Sequence, residues 1–161
     1  MFHFVFSKNY FLNYFKHFSV GYYPRDAQLL SLILELYIRE KCPKKGVIMQ
    51  VSTGEGKSVI ISMLGAFWAL CGRRYVDLVT SNTLLAERDA TERAEFFGML
   101  GLSVDHNNHK DPDRLKAAYQ CDVVYGAMRD FLTHTVLDDF YKMVTNKLNR
   151  KSKIPKWFYL F

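Results

Sequence analysis

The stretch Thr53-Gly54-Glu55-Gly56-Lys57-Ser58 constrains this chain more than any other. Before it runs the apolar segment Val47-Ile48-Met49-Gln50-Val51, and after it the uncharged segment Val59 to Cys71. The first reads as a buried strand and the second as part of a buried helix ending near Gly72. Two glycines at a strand-to-helix turn let backbone N–H groups approach a phosphate with no side chain in the way. The helix start adds unpaired amides and the positive end of its dipole. In such a loop Lys57 reaches the β- and γ-phosphates of a nucleotide, and the Ser58 hydroxyl takes a Mg²⁺ coordination position.

The general loop pattern places glycine where this chain has Val51. The spacing fits instead the variant of helicase-like motors, with an apolar residue there and Gly-x-Gly-Lys-[Ser/Thr] at the end.

Around the loop, strands alternate with helices. Residues 25–41 lack glycine and proline, are rich in leucine, and pair Glu35 with Arg39 at i,i+4, which predicts a largely covered helix. Tyr75 to Val79 reads as a strand. Leu84 to Phe97 reads as a helix with Ala90, Ala94 and Phe97 inside, an Asp89–Arg93 pair outside and Gly98 at its end. Leu102-Ser103-Val104 reads as a short strand. Asp111-Pro112 supplies an N-cap and first-turn proline for a helix through Tyr119. Asp122 to Tyr125 is a strand closed by Gly126, followed by a helix from Met128 to about Tyr141. This alternation predicts parallel βαβ units.

Charge narrows the function classes. The chain carries 22 Lys and Arg against 16 Asp and Glu, yet all the acids lie between Asp26 and Asp139. Six bases from Lys142 onward account for the whole excess, leaving residues 1–141 balanced. A nucleic-acid footprint across the body is therefore not expected. No apolar run reaches the roughly 18 residues of a membrane span. Three widely spaced cysteines, Cys42, Cys71 and Cys121, give no disulfide framework and suit a reducing compartment.

Ten of 25 aromatic residues lie in 1–23 and four in 157–161, so both ends differ in composition from the middle. The N-terminal stretch reads as a covering segment, with an interfacial membrane segment as the alternative. The tail, with Arg150, Lys151 and Lys153 ahead of Trp157-Phe158-Tyr159, reads as solvated, with contact to anionic lipid as the alternative. His106 and His109, with Cys121 far along the chain and no second close cysteine, read as a solvated loop rather than a metal site.

Several segments together resemble the SecA family, the ATPase motor of preprotein translocation. Thr53 to Ser58 is similar to its TGEGK[T/S] signature. Pro24-Arg25-Asp26-Ala27-Gln28-Leu29 resembles its adenine-recognition element. Thr80-Ser81-Asn82 through Leu85-Ala86-Glu87-Arg88-Asp89-Ala90, then Leu100 to Val104, then Ala117-Ala118-Tyr119 through Asp122-Val123-Val124-Tyr125-Gly126 follow in the family's order. The resemblance implies an α/β P-loop NTPase lobe of RecA-like, three-layer αβα form with a mainly parallel sheet. It implies ATP and Mg²⁺ as cofactors, with Gln28, Thr53, Gly54, Glu55, Gly56, Lys57 and Ser58 binding nucleotide and the Ser58 hydroxyl on the metal. Preproteins and a membrane translocation channel are the implied partners, without nucleic acid, at a cytoplasmic location with peripheral membrane contact.

Read by itself, a carboxamide such as Gln28 suits the edge of adenine, but the position reads first as a solvent-facing helix glutamine. Thr80-Ser81-Asn82 stands where ligands collect in open α/β sheets, or caps the next helix. The family's magnesium-binding acid box is not found after Asp138-Asp139, which itself reads as helical. The expectation is therefore a lobe cut short before its Walker-B strand, with weak hydrolysis alone. Residues 1–23 form an extension, 24–141 the nucleotide-binding domain and 142–161 a basic, aromatic tail. A nucleic-acid-stimulated helicase-type lobe and a non-catalytic remnant that docks to another protein are the alternatives.

Overall fold

The computed structural model describes residues 24–42, 46–71, 75–145 and 158–160. The N-terminal extension, residues 1–23, and residues 146–157 and 161 of the tail lie outside the described residues. The chain divides into two compact units, Met1–Leu64 and Gly65–Phe161.

In the first unit, α1 spans Asp26–Lys41. It begins after Pro24, and its last turn carries Arg39 and Lys41 near the negative end of the dipole. The expected Glu35–Arg39 pair forms, with Glu35 buried. The expectation of a largely covered helix does not hold. The buried stripe is Gln28, Leu32 and Glu35, whereas Leu30, Ile33, Leu34, Tyr37 and Ile38 are exposed. Residues 46–52 form no strand, contrary to the reading of Val47–Val51. Alternate residues there are exposed and half-buried, and Ile48 is fully exposed. An apolar run becomes a strand only where a neighbouring strand takes its N–H and C=O groups. The helix α2, Lys57–Leu70, then starts at the lysine of the loop and carries the chain into the second unit.

In the second unit, β1 (Val76–Thr80), α3 (Thr83–Met99), β2 (Val104–His106), α4 (Pro112–Ala118), β3 (Val123–Ala127) and α5 (Met128–Thr145) alternate. A last strand, β4 (Phe158–Leu160), pairs with β1. The tail read as solvated thus contributes backbone to the sheet. All pairings are parallel, in the order β2-β3-β1-β4. Both β1 and β3 are buried along nearly their whole length, as Val-rich strands of a parallel sheet covered on both faces should be.

The register fixes the layers. Leu78 pairs with Tyr125, so both point to one face. There Gly65 of α2 brings its backbone so near that a Cβ would sit 3.0 Å from Leu78 Cδ1. On the same face Phe97 of α3 meets Tyr125 edge-on at 6.4 Å. Val79 and Val124 point the other way and pack with Phe131 of α5, Tyr119 and Cys121. This unit is therefore three-layered, αβα.

Boundaries differ where glycine was read as a stop. Gly98 lies inside α3 and Gly126 inside β3. The residue that turns the chain after α3 is Gly101, at φ 69°. Strand β2 sits two residues later than the expected Leu102–Val104, where the β3 ladder takes Val104, Asp105 and His106. Asp89 is not an outward partner of Arg93: it is buried and bonded to Arg88 at 2.7 Å, while Ala94 is exposed.

Asp77, the second residue of β1, is 4% exposed. Burial pushes its carboxyl up from 3.8 to about 7. Its charge also helps raise the nearby Tyr119 hydroxyl, pushed up to about 12 mainly by burial. A raised carboxyl means that the folded chain holds a proton the unfolded chain releases. Stability therefore falls as pH rises from about 4 to about 7, then levels off. Asp77→Asn should flatten that slope and raise stability at pH 8, by an amount capped at roughly 4 kcal/mol. Urea denaturation of both proteins across pH 5–8 checks it, and parallel pH profiles would refute it.

Candidate functional site

The loop is built on backbone that only glycine adopts easily. Gly54 and Gly56 lie at φ 89° and 74°, flanking Glu55, whose N–H donates to Ser52 O at 3.3 Å. The helix begins immediately after: Val59 N–H donates to Gly56 O at 3.0 Å. As first residues of α2, Lys57 and Ser58 have amides without an intrahelical acceptor. These amides and the dipole end form an anion-binding arrangement.

Lys57 folds back over the loop. Its ammonium donates to Val51 O at 3.2 Å and to Ser52 O at 3.1 Å, holding the positive charge beside the chain that enters the turn. Ser58 is half-buried, and its carbonyl accepts the Ser62 hydroxyl at 2.7 Å. Thr53 and Gly54 are exposed at the turn.

Gln28 is the link that spacing could not show. It is 1% exposed. Its Oε1 accepts the Arg25 N–H at 3.0 Å, and its Nε2 donates to Glu55 O at 2.8 Å. The carboxamide therefore ties the first turn of α1 to the loop, using one of its two N–H groups and part of its oxygen's capacity. It also fills the space beside Gly56, where a Cβ would come within 2.4 Å of Nε2. Arg25 and Glu55 add an exposed ion pair at 3.6 Å, worth little in water. A pocket of about 190 Å³ opens here, lined by Gln28 and Ser31 of α1, Gln50, Val51 and Ser52 of the entering chain, and Glu55.

The structure thus gathers Gln28, Glu55, Gly56 and Lys57 around one loop. The positions in the second unit have local roles. Asn82 caps α3, accepting the Leu85 N–H at 2.9 Å, and Thr80 donates to Asn82 O at 2.8 Å. The functional reading of Asn82 therefore competes with an observed cap. Arg88 is committed to Asp89. Sequence reasoning missed the buried Asn107, whose side chain lies over Gly126; a lone Asn in a polar loop gives no burial signal.

Glycine-bearing loop, helix start and helix-flanked parallel sheet are the parts of a P-loop α/β protein of RecA-like fold. The family model described as the SecA DEAD-like domain matches residues 13–155. The protein translocase subunit SecA of Brachyspira hyodysenteriae is 36% identical over 110 residues, covering 66% of this chain and 11% of that protein. That of Mycoplasma mobile is 36% identical over 132 residues, covering 78% of this chain and 14% of that protein. The chain belongs to the SecA family, and its matched part spans a small fraction of the length of these relatives.

Gly56→Ala should destabilise the protein by roughly 1–3 kcal/mol, through the left-handed backbone and the clash with Gln28. Adding Gln28→Ala should relieve the clash and leave the backbone strain. Urea denaturation of the four proteins in a double-mutant cycle measures both parts, and strictly additive effects would show that the two residues do not collide.

Proposed function

We propose that this chain is the nucleotide-binding part of a SecA-like motor that couples ATP hydrolysis to protein movement across a membrane. The observation that carries the proposal is the loop itself: two left-handed glycines deliver the chain to a lysine standing as the first residue of a helix. The ammonium of Lys57 rests on two neutral carbonyls, and a phosphate oxygen is a stronger acceptor for it. The residues fit a triphosphate, since nothing stands within 4 Å of where a Cβ of Gly54 would be and the amides of Lys57 and Ser58 lack helical acceptors.

In this reading the Ser58 hydroxyl holds Mg²⁺, which offsets the charge of the bound phosphates. Thr53, Gly54, Glu55 and Gly56 wrap them with backbone. The second N–H of Gln28 serves the adenine edge beside the pocket it lines. Asp138 and Asp139 lie on α5 rather than at a strand end, so they are not placed as a metal-holding pair and hydrolysis by this chain alone is slow.

The relatives' name, protein translocase subunit, supports preproteins and a membrane channel as partners. Balanced charge in residues 1–141 argues against nucleic acid as the polymer moved. Among the described residues no helix is long and apolar enough to cross a membrane. A cytoplasmic location with peripheral membrane contact completes the proposal.

Mg-ATP and Mg-ADP should raise the melting temperature of the full chain. Lys57→Ala should weaken binding about 10- to 100-fold, the loss of a charge-assisted hydrogen bond. An unchanged thermal shift in that variant would overturn the proposal. No shift at millimolar nucleotide in a demonstrably folded sample would select a non-catalytic docking role instead.

A further inference from the structure

We propose that Asp105, His106 and His109 form a binding site for a divalent cation of the zinc class. Asp105 and His106 end the edge strand β2, and His109 returns to them from the loop that follows. His109 Nε2 lies 3.0 Å from Asp105 Oδ1, and the two imidazole rings stack with centroids 4.2 Å apart. One ligand atom from each residue lies within 4.8 Å of the others. Metal–ligand bonds of about 2.0–2.2 Å put neighbouring ligand atoms roughly 3–3.6 Å apart, so the aspartate–histidine edge already has a coordination distance. The second imidazole needs only a small side-chain rotation to complete a face.

The scaffold holds this loop in place. Between the histidines, Asn107 is 1% exposed; its N–H donates to Tyr125 O at 2.9 Å and its Nδ2 to the Tyr119 hydroxyl at 3.1 Å. Tyr119 is bonded in turn to His134 Nδ1 at 2.8 Å. Asn108 reaches Glu87 of α3 at 3.3 Å, and its N–H donates to His106 Nδ1 at 3.2 Å. That last bond is the one ligation by His106 Nδ1 displaces. A His-x-x-His stretch on a free coil would have to order itself at every binding event, whereas this one is pinned at its middle residue.

Two imidazoles and one carboxylate suit Zn²⁺, Co²⁺ or Ni²⁺, not Mg²⁺ or Ca²⁺, which prefer oxygen ligands. His109 and Asp105 remain 19% and 33% exposed at their side chains, which gives the ion an entry path and a water in its remaining position. Cys121 stays outside the set: its Sγ–H faces Ala117 O, and burial followed by the charge of Asp105 pushes its thiol up.

Titration of the full chain with ZnCl₂, read by calorimetry, should show one saturable site that millimolar Mg²⁺ does not compete away. His109→Gln and Asp105→Asn, which keep the side-chain shapes, should each weaken binding at least about tenfold, and Asn107→Ala about tenfold through loss of orientation. His3→Ala with His17→Ala should leave the affinity unchanged. The Co²⁺ form should show d–d absorption without a thiolate-to-cobalt charge-transfer band. Equal affinity in His109→Gln, a thiolate band, or no saturable binding would each overturn the site and leave an ordinary histidine–carboxylate hydrogen bond.

Discussion

The carboxamide of Gln28 holds the loop and the helix before it in one arrangement. Its oxygen takes an N–H at the start of α1, and its nitrogen gives a hydrogen bond to the carbonyl of Glu55. A buried amide must be satisfied on both sides, because an orphaned buried polar group costs roughly 1–3 kcal/mol. Gln28 meets that demand only with Glu55 O turned inward and with no side chain on Gly56. The left-handed backbone at Gly54 and Gly56 is the chain's way of turning that carbonyl while the next amides keep no helical acceptor. A residue read for its power to recognise a base is thus also the residue that fixes the loop's shape.

The sheet follows a different logic. Its central pair, β1 and β3, is held by burial on both faces, and the register assigns α2 and α3 to one face and α5 to the other. Into this apolar layer the chain places a carboxyl group, Asp77, whose charge burial opposes. Natural cores accept such a group at the expense of stability, and the pH slope is its signature. Tyr119, whose hydroxyl feels the charge of Asp77, forms a connected hydrogen-bond chain with Asn107 and His134.

Much of this was legible in the residues, for reasons that can be named. Helices α1 to α5 were readable because caps, prolines and periodic apolar positions are local signals. The loop was readable because its glycines have one conformational use. The central strands β1 and β3 were readable too, within one or two residues; what failed were two outlying segments whose pairing depends on a partner. Val47–Val51 has strand composition, but its strand would exist only through a neighbour's hydrogen bonds. The edge strand β2 slipped by two residues because β3 chooses which of its residues pair. Gly98 and Gly126 were read as stops, yet glycine ends an element only where it takes left-handed backbone, as Gly101 does. Burial misled in both directions: Leu30, Ile33, Leu34 and Ile38 of α1 are exposed while Asp89, Glu35 and Gln28 are inside. Composition assigns a residue a preference, and only packing decides whether the preference is met.

Gly126 shows how a motif can carry a structural reason that its pattern hides. A Cβ there would fall 2.4 Å from the carboxamide atoms of Asn107, so the glycine of the Tyr125-Gly126 pair is required by a neighbour nineteen residues earlier. That same Asn107 pins the loop between His106 and His109. Any larger residue at 126 must expel Asn107 from its buried seat, and the loop carrying both histidines moves with it. The end of β3 and the histidine loop are therefore one packing unit. A substitution at Gly126 perturbs the geometry of the loop, whatever the loop binds.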